Sequence, residues 1–77
     1  MMKKNKKMRK LMKAAKMGKA PAMYALGIRY QIGKGVEPDL AEAAYWIGEA
    51  ADEGYARAEE WIKDYYFDDD AATQALS

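Results

Sequence analysis

A displacement of 36 residues maps much of this chain onto itself. The stretch Ala14-Ala15-Lys16-Met17-Gly18-Lys19-Ala20-Pro21-Ala22 recurs as Ala50-Ala51-Asp52-Glu53-Gly54-Tyr55-Ala56-Arg57-Ala58. The same shift carries Leu11 to Ile47, Leu26 to Ile62 and Tyr30 to Tyr66. A period of this length marks supersecondary units that cannot bury their apolar faces alone and do so by stacking. The 77 residues cover a little under two periods, from the second half of one unit to the first half of another.

Helical periodicity fills the repeat. Met8, Leu11, Met12 and Ala15 share one face of a helix expected from about Lys4 to Met17, which Gly18 ends. A second helix starts at Pro21, a residue suited to a first helical position, and runs to about Ile32 before Gly33 and Gly35 break it. Asp39 caps a third, with Glu42 completing an acidic capping box. Leu40, Ala43, Ala44, Ile47, Ala50 and Ala51 give that helix an apolar stripe, and Gly54 stops it. The fourth is expected from about Arg57 to Phe67, ahead of the run Asp68 to Asp70 and the tail. Met23, Tyr24, Leu26, Ile28, Tyr30 and Ile32 make the second helix apolar nearly all round, so it must be covered on more than one side. Fifteen alanines let helix axes approach closely, which suits stacked hairpins better than a Leu-rich bundle.

The expected fold is therefore all-α: a single domain, 1–77, built as a short α/α solenoid of about four antiparallel helices in two stacked hairpins. Within it, 1–19 is a basic first helix acting as N-terminal cap and 20–54 one full repeat. Residues 55–68 are a half-repeat capping helix, and 69–77 an acidic, flexible tail.

These residues resemble a known family. Leu26, Gly27 and Tyr30 on the second helix, then Gly33, Gly35, Val36 and Asp39 in the loop, look like a Sel-one-like repeat. Ala43, Trp46, Ala50, Ala51 and Gly54 on the third helix continue the pattern. This is an α/α solenoid class related to tetratricopeptide repeats. One full repeat matches closely. The flanking halves depart from it, with Ile62-Lys63 for the Leu-Gly step and the Asp68 to Asp70 run for the glycine loop. Both departures read as the atypical end units that a solenoid needs. Gly27 also has a physical reading of its own, since it lets the next helix of its hairpin come close.

The resemblance implies that the first helix of each hairpin lines a concave face. In that register Tyr24, Ile28 and Gln31 line it, and adding 36 gives Glu60, Asp64 and Phe67. Such a groove, apolar-aromatic on one side and acidic on the other, suits a basic, amphipathic helix or extended peptide of another protein.

Charge marks a second surface. Residues 1–19 hold nine basic side chains and no acid, while residues 20–77 hold four basic and twelve acidic ones, so +9 and −8 sum to the net +1. Five of the six methionines are interleaved with those first cations. Lys3, Lys6, Lys7, Lys10 and Lys13 are candidates for contact with nucleic acid, an anionic membrane surface or an acidic protein. The alternative is a capping helix with Met8, Leu11 and Met12 inward and its lysines in water. No aromatic residue precedes Tyr24, which weakens single-strand recognition. Opposite charge at the two ends also allows a homodimer.

Catalysis has little to work with. The chain contains no His and no Cys, and Thr73 and Ser77 are its only hydroxyls besides tyrosine. Glu59-Glu60 and Asp68-Asp69-Asp70 are adjacent carboxylates; a magnesium or glycosidase-like role needs such groups converging in a pocket, whereas neighbours on a helix point apart, so a solvated surface is expected. Gly33-Lys34-Gly35 follows a helix, without the spacing of a phosphate-binding loop. The expectation is a non-enzymatic protein-interaction module: a small adaptor, regulator or stoichiometric inhibitor with no cofactor, metal or small-molecule substrate. The apolar runs are too short for a membrane span, and no apolar stretch follows the basic start to make a secretory signal. Together with the absence of cysteine this leads to the expectation of a soluble, cytoplasmic protein.

Overall fold

The computed structural model describes residues 6–66 as four α-helices: α1 (Lys6–Lys16), α2 (Ala20–Ile32), α3 (Leu40–Asp52) and α4 (Ala56–Tyr66). Each packs on the next in chain order, and α2, apolar on most of its surface, is covered by α1 on one side and α3 on the other. Among the described residues there is no strand. The expected starts and ends recur within a residue or two, and the expected first residues of the first helix and Phe67 of the last lie outside the described residues.

The 36-residue period is visible in the backbone itself. At the α1–α2 turn, the Met17 N–H donates to the Lys13 and Ala14 carbonyls, Gly18 to Ala15, and Lys19 to Ala14. At the α3–α4 turn, Glu53 donates to Glu49 and Ala50, Gly54 to Ala51, and Tyr55 to Ala50. Each bond in the second set is the first shifted by 36, and no matched pair differs by more than 0.1 Å. Both turns pivot on a glycine in the left-handed region, Gly18 at φ 88° and Gly54 at φ 87°, where a Cβ would be strained. Two turns of different sequence thus fold identically because the same small residues and the same glycine recur.

Between α2 and α3 the chain turns at Gly33 (φ 74°), whose N–H returns to the Arg29 carbonyl at 2.7 Å. Val36 packs the loop onto the core. The α3 cap is half of the expected box. The Glu42 N–H donates to Asp39 Oδ1 at 3.1 Å, but the Glu42 carboxylate does not return to the Asp39 N–H. That N–H donates to the Tyr30 carbonyl at 2.8 Å, and Glu42 Oε1 accepts the Trp46 indole N–H at 3.1 Å.

Leu26 and Ile47 are fully buried at the centre, joined by Met8, Ala15, Met23, Ala43, Ala50 and Ala58. Burying a side chain of the Leu26 or Ile47 kind contributes about 1.5–3 kcal/mol. The face of α1 is as expected, with Met8 and Ala15 buried and Leu11 and Met12 packed against the core. Leu40 departs from the expected α3 stripe and is half exposed. It occupies the first position of α3, one turn ahead of Ala43, where close contact with α2 begins.

Candidate interaction surface

The second-helix and fourth-helix positions of the repeat come together across α3. Tyr24 of α2 packs on Tyr55, the residue preceding α4, with ring centroids 5.5 Å apart and planes tilted by 49°. One turn into α4, the Trp61 indole N–H donates to the Gln31 side-chain oxygen of α2 at 3.0 Å. Trp61 also stacks on Tyr65, at 4.7 Å and 12°. The Trp61–Gln31 bond ties α4 to α2, and the Tyr24–Tyr55 contact ties α2 to the turn before α4.

A concavity of about 330 Å³ opens there, lined by Tyr24, Arg57, Glu60, Trp61 and Asp64. The four α4 residues lie at i, i+3, i+4 and i+7, so they form one stripe of the helix. Glu60, Asp64 and Arg57 are exposed, while Tyr24 and Trp61 are half-buried. Of the residues singled out from sequence, Tyr24, Glu60 and Asp64 meet in this concavity. Ile28 is instead half-buried against the core, and Gln31 is engaged as the acceptor for Trp61. Phe67 lies outside the described residues.

Arg57 and Trp61 went unpredicted because the 36-residue shift equates them with Pro21 and Ala25, which carry no such chemistry. The signal that finds them is local: they stand one helical turn from Glu60 and Asp64. Arg57 places a cation at an otherwise acidic wall, and its guanidinium is a donor to a carboxylate or carbonyl.

The basic surface occupies a different helix. Lys6, Lys7, Arg9, Lys10 and Lys13 are all exposed on α1 and line a concavity of about 420 Å³. Lys3 is outside the described residues. No group of three or more His, Cys, Asp or Glu is gathered for a metal among the described residues, and no buried side-chain polar atom there lacks a partner. No described helix is long and apolar enough to cross a membrane. The Tyr30 hydroxyl is held above the ordinary tyrosine range, first by burial and then by the negative charges of Glu42 and Asp39.

A family model for the Sel1 repeat matches residues 20–55. This segment is a Sel1 repeat. It spans one period of the internal repeat and comprises α2, the glycine loop, α3 and the turn into α4. Sel1 repeats generally mediate protein–protein interaction. In the Sel1 repeat Gly27, Gly33, Asp39 and Gly54 each hold a backbone role, at the helix contact, the loop, the cap and the turn. The half-units α1 and α4 flank it and supply the basic and acidic surfaces. No curated protein and no solved structure matches the chain.

Proposed function

We propose that the protein is a non-enzymatic cytoplasmic adaptor, regulator or stoichiometric inhibitor that holds a basic, amphipathic segment of one partner protein against α2 and α4. The observation that carries this reading is the concavity shared by Tyr24, Trp61, Glu60 and Asp64. Half-buried rings offer an apolar floor, and the two carboxylates, one turn apart on α4, attract Lys or Arg on an incoming segment. Arg57 at the same wall donates to a carboxylate or backbone carbonyl of that segment, which fixes its direction.

The test uses a Lys-rich amphipathic helical peptide as probe, with Trp fluorescence and calorimetry as readouts. Binding is expected for the wild type and a loss of about tenfold or more for the Tyr24→Ala/Asp64→Lys variant, with helicity unchanged. Equal affinity of the two proteins for the peptide would end the groove reading.

A further inference from the structure

We infer that the outer stripe of α1, Lys6, Arg9, Lys10 and Lys13, is a docking surface for the phosphate backbone of duplex nucleic acid. The chain contains its own control for the view that these cations only keep the helix soluble. Shifted by 36, the stripe becomes Glu42, Tyr45, Trp46 and Glu49 on α3. The turn that follows α3 is bonded as is the turn that follows α1, so the unit folds with acids and aromatics at these positions. The fold does not require the four cations, and their presence calls for another reason.

The ligand class follows from what the stripe lacks. Every large apolar residue of α1 before its last turn is spent on the core: Met8 is buried, and Leu11 and Met12 pack against it. An interfacial membrane helix needs that face free to enter the lipid boundary, so adsorption to a bilayer is disfavoured. The concavity among Lys6, Arg9, Lys10 and Lys13 is walled by the stems of the cations themselves, with no large apolar side chain to anchor an amphipathic acidic helix. What remains is recognition by charge alone, which is how the phosphate backbone is bound. At about 1.5 Å of rise per residue, Lys6 to Lys13 span about 10 Å. Duplex DNA presents one charge per ~1.7 Å of axis, so several phosphates face such a row. The stripe holds no aromatic side chain for stacking on splayed bases, which favours the duplex over single strands. The acidic side chains all follow residue 36, so the molecule is polarised and α1 is the end that a polyanion approaches. This surface lies apart from the α2–α4 groove and stands whether or not the groove is a peptide site.

The experiment is fluorescence anisotropy of the full chain with a short labelled DNA duplex of mixed sequence, over a salt series. Binding at low salt is expected, with a log–log salt slope of about −3 to −4 for four phosphate contacts. The Lys6→Glu/Lys13→Glu variant installs the residues that α3 carries at the matching positions, and should weaken binding about tenfold or more at unchanged helicity. Should that variant fail to fold, Lys6→Gln/Lys10→Gln/Lys13→Gln keeps good helix formers and serves the same purpose. Tyr24→Ala should leave duplex binding as it is. The inference is overturned if the wild type does not bind the duplex at low salt, or if the charge variants bind it unchanged. It is equally overturned if phosphatidylserine vesicles or polyglutamate displace the duplex as well as unlabelled duplex does.

Discussion

Gly27 of α2 faces Ala43 of α3 at backbone range: a Cβ at Gly27 would stand 2.9 Å from the Ala43 carbonyl oxygen and 3.0 Å from Ile47 Cδ1. A residue with no side chain thus lies against both the Ala43 carbonyl and the Ile47 side chain, and a Cβ there would strike Ile47 Cγ1 first. The half-units do not share this pairing. The shift by 36 turns Gly27 into Lys63 and Ala43 into Lys7, so neither α1 nor α4 can repeat the interior contact with a further copy.

Gly27→Ala should destabilise the protein by about 1–3 kcal/mol, because a backbone oxygen cannot move aside as a side chain can. Gly48, on α3, is the paired control: a Cβ there meets nothing within 4 Å. Gly48→Ala should stabilise by about 0.5–1 kcal/mol through helix propensity. Urea unfolding of the two variants, with opposite signs of change, checks the α2–α3 contact.

Asp39 is the side-chain cap of α3, and Glu42 contributes its backbone N–H to it while its carboxylate serves Trp46. Asp39→Ala should therefore cost about 1 kcal/mol. Asp39→Asn, which keeps the acceptor, should cost less. Glu42→Ala should leave the cap intact and alter the Trp46 environment instead, visible in near-ultraviolet circular dichroism.

Tyr30 carries a pH prediction. Its hydroxyl titrates above the ordinary value of 10.0 in the folded protein, through burial first and the charges of Glu42 and Asp39 second. Above pH 10 the unfolded chain has lost the Tyr30 proton while the folded chain keeps it, so the unfolded state binds fewer protons and stability falls as pH rises. The contribution is complete below the unfolded pKa and disappears as pH passes the folded one. Comparing the wild type with Tyr30→Phe in urea at rising alkaline pH isolates it: the variant should lose less stability than the wild type above pH 10.

Much of the fold was legible because the repeat places the same physical devices twice. Gly18 and Gly54 end helices by the same left-handed turn, and Leu26 and Ile47 sit at helical spacing within apolar stripes, so periodicity and punctuation sufficed. The miss at the α3 cap depends on which of two partners a polar group takes. Sequence spacing pairs Glu42 with the Asp39 N–H, yet Tyr30 reaches that N–H first, across the loop. The site was legible in part. The shift by 36 located Glu60 and Asp64, but it treats Trp61 as the counterpart of Ala25 and so hides the side chain that ties α4 to Gln31. A long-range hydrogen bond between the full repeat and a half-unit of different composition leaves no periodic trace.

Affinity capture from a lysate decides whether this Sel1 repeat and its flanking half-units work by holding another protein in the α2–α4 groove. Wild type and Tyr24→Ala/Asp64→Lys would be run side by side, with and without nuclease, at low and moderate salt. One protein should be retained stoichiometrically by the wild type in both nuclease arms and at moderate salt, and lost with the groove variant. Retention of that protein by the groove variant, or recovery of nothing that survives nuclease and salt, would contradict it.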